Sequence, residues 1–495
     1  MELDATSDEI RKWGDAAIAM VADYLGSIRD RPLYPNTTAQ AIRQQVDRNL
    51  PVEPRGFDEL LKEFQTAILE ASRHNGHPRM FGYVQAPGSG LGAIADLIAS
   101  ALNANLTAWR SAPAPVELER ITIDWIKRIL GYPDSAAGLF VSGGSMANFA
   151  ALAAARTAKA PSDFAKSGTH SVPATRMCVY ASEQTHHSIE KAAVLLGVGS
   201  ENVRKIKVDG QHKIRIDDLV AQIEDDLQTG NLPFCVVANA GTVMTGAVDP
   251  LAEVHEVAQR FNLWMHVDAA YGGFAVLSES AKPLFSGVAL ADSIALDPHK
   301  WLYLPVDCGC ILYREPATAR AAFAHQAEYT RVIGQEADEA FAFWDYGPEL
   351  SRRFRALKVW MLLRGVGIQA LGGFIEKDLQ CALHLERAVR ASEDFEMLAP
   401  VELSIFCFRH LPAHLKSMPA EPGINDLAVL DEQLNSWNER LLIALQHDGS
   451  SYLSNALVNG RFALRGCVMN YRTTLQDMDR LLDDLRRVAR ELPTS

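Results

Sequence analysis

The sequence predicts an α/β fold: a large domain on a mostly parallel sheet, a helical segment before it and a smaller α+β domain after it. Three observations carry this. Between about residues 138 and 314, short β-rich runs alternate with helical patterns, at Gly138–Ser142, Met177–Ser182, Val203–Val208, Cys235–Ala240, Trp264–Ala270, Ser293–Asp297 and Cys308–Tyr313. The runs are apolar on both faces, as strands covered by helices on each side must be. From about residue 375, helices pair with short strands at Leu403–His410 and Arg461–Gly466. The expected division is a helical segment over 1–80, an α/β domain over 81–374 and an α+β domain over 375–495.

In chain order, Thr6-Ser-Asp-Glu9 reads as a capping box. Behind it Ile10, Trp13, Ala17, Met20, Val21, Tyr24 and Ile28 recur at helical spacing. That apolar face is broad for a terminal helix, so it is expected to dock on something large, such as a second subunit. Pro32, Pro35, Pro51 and Pro54 break the next stretch into loops and short helices, and an amphipathic helix is expected from Phe57 to Arg73. Gly88-Ser-Gly90-Leu-Gly92 has neither the spacing nor the preceding strand of a dinucleotide loop. Helices are expected over about 90–106 and 115–130. After the strand-rich section, 316–347 lacks periodicity and reads as a loop or lid, and a long helix from about 348 carries Arg352-Arg353-Phe354-Arg355.

Composition narrows the function. A chain of 495 residues, 48% hydrophobic and 22% charged, can bury a large core. A net charge of −13 argues against nucleic acid and anionic membrane surfaces. No apolar run approaches the ~18 residues of a membrane span. The acidic, polar start Met-Glu-Leu-Asp is unlike a secretory signal. Seven scattered cysteines suit reduced core thiols in a cytoplasm. Cys308 and Cys310 share a strand face, but no second pair sits at ligand spacing, so no metal site is expected.

The chemistry collects at strand ends, where open α/β sheets hold their ligands. Phe140-Val-Ser142-Gly143-Gly144-Ser145-Met-Ala-Asn148 runs from strand through glycine turn to helix, which suits a phosphate and equally a plain βα turn with a serine cap. Ala181-Ser-Glu-Gln-Thr185-His186-His187-Ser188 places imidazoles after a strand; His186 can stack on a ring and take part in proton transfer, or simply open a helix. Asn239-Ala-Gly241-Thr242 ends a strand in a turn and a hydroxyl. Trp264-Met-His-Val-Asp268-Ala-Ala270 ends one in a carboxylate able to pair with a protonated pyridine nitrogen, with Ala270 leaving room for a flat ring, or in a buried structural acid. Finally Asp297-Pro298-His299-Lys300-Trp301-Leu302 presents an amine at a turn that Pro298 defines. Among apolar groups its charged form would be disfavoured, and a neutral amine attacks carbonyls. Phosphate turn, histidine, threonine, aspartate and lysine in this order point together to pyridoxal 5'-phosphate (PLP), with Lys300 forming a Schiff base.

Val267-Asp268-Ala-Ala-Tyr-Gly-Gly273 and Asp297-Pro-His-Lys300-Trp-Leu302 resemble motifs of the group II PLP-dependent decarboxylases, the family of the aromatic-L-amino-acid decarboxylases. The resemblance runs from Tyr34-Pro35 through His77-Pro78 and Pro113–Trp125 to Arg472-Thr473-Thr474. It implies a PLP-dependent transferase of fold type I and a homodimer with active sites at the subunit interface, the N-terminal segment packing on the partner. Lys300 looks like the Schiff-base lysine, Asp268 the pyridinium partner, Ala270 the small residue under the ring and His186 the stacking histidine. Thr242 is similar to the pocket threonine, Gly143, Gly144 and Ser145 to the phosphate turn, and His299 to a phosphate-side group. Tyr329 falls at the catalytic-loop tyrosine, while Tyr83 and Ser351 fall at substrate-pocket positions. Asp297 departs from the asparagine of the animal enzymes; an acid beside a phosphate is expected to point away. The implied reaction is decarboxylation of an L-amino acid, aromatic ahead of acidic or diamino. An aldehyde synthase is the alternative chemistry, and intact Lys300, Asp268, His186 and Tyr329 argue against a non-catalytic scaffold.

Overall fold

The computed structural model describes residues 3–46, 48–161, 164–168, 176–324, 339–416 and 426–493. Seven of its strands form one sheet: β1 (Ala137–Val141), β2 (Met177–Ser182), β3 (Val203–Ile206), β4 (Leu232–Asn239), β5 (Trp264–Ala269), β6 (Ser293–Leu296) and β7 (Gly309–Tyr313). Each lies within or beside a run expected from the sequence. Their order is β1-β7-β6-β5-β4-β2-β3. Pairing is parallel from β3 to β6, and β7 lies antiparallel between β6 and β1. Every residue of β2, β5, β6 and β7 is buried, which accounts for runs apolar on both faces. The carboxyl ends of β1, β2, β4, β5 and β6 therefore open onto one edge of the sheet.

A second sheet has the order β10-β11-β9-β8, from β8 (Phe395–Met397), β9 (Ile405–His410), β10 (Ser454–Val458) and β11 (Arg461–Cys467). β8 and β10 have only three and five residues, too short for a periodic signal. Helices Ile368–Arg390 and Leu475–Glu491 pack over this sheet around a core that includes Leu385, Phe406, Leu464 and Leu482. Ile368–Arg390 runs unbroken across the expected division after 374.

The first helix, Ser7–Gly26, carries the expected capping box: Glu9 N donates to Thr6 Oγ1 and Thr6 N to Glu9 Oε2. None of its residues is buried within the chain. The helix expected over 57–73 is α-helical only to Glu63 and passes into a π-helical turn over Phe64–Leu69. The helix expected from 348 begins instead at Ala356. The preceding arginines are each tied down by their own partners. Arg352 is buried against Glu119, lies over the Phe343 ring at 4.1 Å and donates to the carbonyls of Leu106 and Phe140. Arg355 reaches Asp307 and Glu349.

Candidate active site

Between the carboxyl ends of the first sheet and residues Ser454–Ala456 and Arg465 of the second lies a cavity of about 750 Å³. Its size is that of a cofactor or small-molecule site. β1 leads through Ser142 into Gly143, where the helix Gly144–Lys159 begins with no side chain capping it. Its first N–H groups are thus available to an anion. A Cβ on Gly144 would fall 2.9 Å from Ala270 Cβ and 3.0 Å from Asp297 Oδ2, so the turn sits against the exits of β5 and β6. A Cβ on Gly143 would lie 3.5 Å from His299 Cε1, which places that imidazole beside the same turn.

Asp268, near the end of β5, faces the cavity with two hydrogen bonds: Asn148 Nδ2 donates to Oδ2 (2.8 Å) and Ala270 N to Oδ1 (3.1 Å). His186, after β2, lines the same wall; Ser188 N and Ser188 Oγ both approach its Nδ1, at 3.2 and 2.8 Å. Burial holds this imidazole below its usual pKa, Asp268 and Asp297 opposing and His187 and Lys300 reinforcing the effect.

Lys300 lines the cavity, but not among apolar groups. Its Nζ lies 2.9 Å from Asp297 Oδ2, and Asp297 is only 2% exposed. Asp297 does not turn away from the Gly143–Gly144 turn as expected: it faces Gly144 and serves as the lysine's counter-ion, leaving Oδ1 buried without a partner among the described residues. Trp301 and Leu302 are fully buried packing, Trp301 stacking on Tyr271 at 5.0 Å.

Gly143, Gly144, Ser145, His186, Asp268, Ala270, His299, Lys300 and Tyr83 all line the one cavity. Tyr83 stands at its mouth, 48% exposed, with a backbone φ of +64° and Arg73 over its ring. Thr242 does not reach the wall: its hydroxyl accepts from Ala247 N (3.1 Å) and pairs with Thr245 (3.0 Å), holding the turn whose Gly241 and Val243 do line it. Ser351 is exposed and away from the cavity within this chain. Tyr329 lies outside the described residues.

The model of the pyridoxal-dependent decarboxylase conserved domain matches residues 39–411. The chain belongs to that family. It is similar to an aromatic-L-amino-acid decarboxylase of Bacillus atrophaeus, 33% identical over 100% of this chain and 98% of the relative. A tyrosine decarboxylase of Oryza sativa subsp. japonica is 33% identical over 100% of this chain and 92% of its own length. The crystal structure of Oryza sativa TDC with PLP and tryptamine superposes with a TM-score of 0.90 at 27% identity, covering 99% of each chain. The chain is thus a PLP-dependent amino acid decarboxylase of fold type I.

The cavity fits that cofactor: an amine, a carboxylate, a methyl-floored gap at Ala270 and an uncapped helix start lie on one continuous wall. Two partners escaped the sequence reading. Asn148 is a buried polar side chain in an alanine-rich helix, a signal visible in Ala147-Asn148-Phe-Ala-Ala151 but without a direction. Arg465 carries no local signal at all; it reaches the cavity only because β11 lies against the Val243–Met244 turn, whose carbonyls accept its Nε.

Proposed function

We propose that the protein releases CO2 from an aromatic L-amino acid to give the amine, with tyrosine, DOPA or phenylalanine ahead of tryptophan. The observation that carries the substrate class is the cavity's outer wall. Val84, Val243, Met244 and Val306 line it, and Arg465, the one arginine lining it among the described residues, is already engaged. Arg465 donates to the carbonyls of Val243, Met244 and Tyr83 and to Ser454 Oγ. Among the described residues an acidic side chain would find no free guanidinium there, whereas an aromatic ring would bury apolar area. The relatives named above support the same class.

In this reading Lys300 would hold the cofactor's aldehyde carbon and cede it to the substrate amine. Gly143, Gly144, Ser145 and His299 would seat the phosphate, Asp268 would keep the proton on the ring nitrogen, and Ala270 and His186 would flank the ring. Bound there, PLP supplies an electron sink for the pair left when CO2 departs. Tyr329 would return a proton to Cα. Thr242 would contribute through the turn it holds, and Ser351 would act only if a second subunit brought it to a cavity.

We also propose a homodimer and a cytoplasmic setting. Ile94, Leu97, Ile98 and Leu102 expose one apolar face of the helix Gly90–Leu102, and Ile10, Ile18 and Val21 another on the first helix. Such contiguous apolar area favours burial against a second copy. All seven cysteines are free and buried, which suits a reducing compartment. Among the described residues no helix is long and apolar enough to cross a membrane.

The test is a CO2-release screen of the PLP-loaded protein over the twenty amino acids, DOPA and 5-hydroxytryptophan. Turnover confined to aromatic substrates is expected. Turnover of glutamate or a diamino acid in their place would overturn the reading.

A further inference from the structure

We propose that Asn148 and Ser188 are positioning residues that fix His186 as its Nε2–H tautomer, so that it serves as a neutral hydrogen-bond donor on the cavity wall and not as the acid that protonates substrate. This rests on the reading that the cavity is the decarboxylation site.

The direction of the hydrogen-bond chain follows from its two ends. Trp264 Nε1–H can only donate, and it donates to Ser293 Oγ at 2.8 Å. The Asp268 carboxylate can only accept, and it accepts from Asn148 Nδ2. That fixes the Asn148 amide, so Oδ1 faces His266 Nε2 at 2.9 Å and must accept from it. His266, wholly buried and pushed down to about 4 by that burial, is neutral; with its proton on Nε2, its Nδ1 accepts from Ser293 Oγ at 2.9 Å. The second hydrogen of Asn148 Nδ2 goes to Ser188 Oγ at 2.9 Å. The Ser188 backbone N–H points at His186 Nδ1, so that nitrogen accepts, and Ser188 Oγ turns its own hydrogen to it as well.

Two donors on Nδ1 leave the imidazole proton on Nε2, which has no partner among the described residues. A second proton could enter only at Nδ1, where both approaches are taken. Four titratable groups influence this ring: Asp268 and Asp297 favour a second proton, while His187 and Lys300 oppose it, and burial outweighs them all. A neutral imidazole cannot surrender Nε2–H near pH 7 without becoming an anion. It can, however, donate a hydrogen bond that steadies a carboxylate or ring oxygen, as other enzymes use neutral histidines. The proton for Cα must then come from another group.

Histidine labelled with ¹⁵N in the full chain, with His186→Gln to assign the signal, reads the tautomer directly, with or without cofactor. The expected result is a protonated Nε2 and a bare Nδ1 from pH 6 to 8. An Nδ1–H ring, or a doubly protonated one at pH 7, would overturn the proposal. Ser188→Ala should mix the tautomers and lower kcat about tenfold, the effect of one hydrogen bond. It should also shift the acid limb of the kcat profile to higher pH, because Nδ1 then keeps only the backbone donor of the two that occupied it; Ser188→Thr should restore both. A uniform loss at every pH would indicate a merely structural serine and overturn it. Failure to decarboxylate any amino acid, with the Nε2–H ring intact, would sink the proposed function but not this tautomer.

Discussion

Substituting Asp268→Asn probes both the cofactor reading and the network behind it. The carboxylate accepts Asn148 Nδ2 on one oxygen and Ala270 N on the other. A carboxamide offers one acceptor. If its oxygen takes the Ala270 N–H, its NH₂ meets the Asn148 NH₂ across a gap sized for a 2.8 Å hydrogen bond. One amide must then turn over, and turning Asn148 breaks its bonds to His266 and Ser188. Losing one or two buried hydrogen bonds costs about 1–3 kcal/mol of stability. If Asp268 pairs with the cofactor's ring nitrogen as proposed, that charge is lost as well, and withdrawing such preorganised stabilisation raises a barrier by about 3–5 kcal/mol, a fall in kcat of roughly 10²–10⁴-fold. The assay is CO2 release at saturating PLP, with PLP affinity measured separately by equilibrium dialysis so that loss of cofactor is not read as loss of chemistry. A variant that holds PLP and keeps kcat within tenfold of the parent would refute the role of Asp268.

Three further outcomes follow from the same geometry. Glu119→Ala leaves the Arg352 guanidinium buried without its counter-charge, which should cost about 3–5 kcal/mol in denaturant unfolding; a change under ~1 kcal/mol would mean the remaining carbonyl contacts suffice. For His266, burial lowers the pKa to about 4 from 6.5, so between these values the unfolded chain binds a proton that the folded chain does not. Its contribution is full above pH 6.5 and lost as pH falls through 4, so the difference in unfolding free energy between parent and His266→Gln should change by about 3 kcal/mol between pH 7 and pH 4. Arg465→Leu frees the carbonyls of Tyr83, Val243 and Met244 and should raise KM for the amino acid about tenfold with a smaller change in kcat, read from steady-state kinetics.

The sequence disclosed the elements whose signal is local. Seven apolar runs became seven strands, and the chemistry expected at their ends converges because parallel strands bring their carboxyl ends to one edge. What stayed hidden depends on strand order. Asn148 and Asp268 meet across 120 positions because the helix after β1 crosses to β5, and no period along the chain reports that. Arg465 likewise needs the second sheet docked beside the first. Side-chain direction was also out of reach. The hydroxyl of Thr242 turned into its own loop, and Asp297, expected to point away, proved to be the counter-ion of Lys300. The helix starts at Ala356 and not near 348 because Arg352 answers to the buried Glu119 and Arg355 to the half-buried Asp307 and Glu349, not to helix periodicity.

Lys300 is the residue proposed to hold the cofactor. Reducing the PLP-loaded protein with borohydride, digesting it and mapping the pyridoxyl mass addition tests this most directly. One modified lysine is expected, Lys300, with no addition in Lys300→Ala under the same conditions. Modification at another lysine, or an unmodified Lys300 in a protein that still turns over, would contradict it.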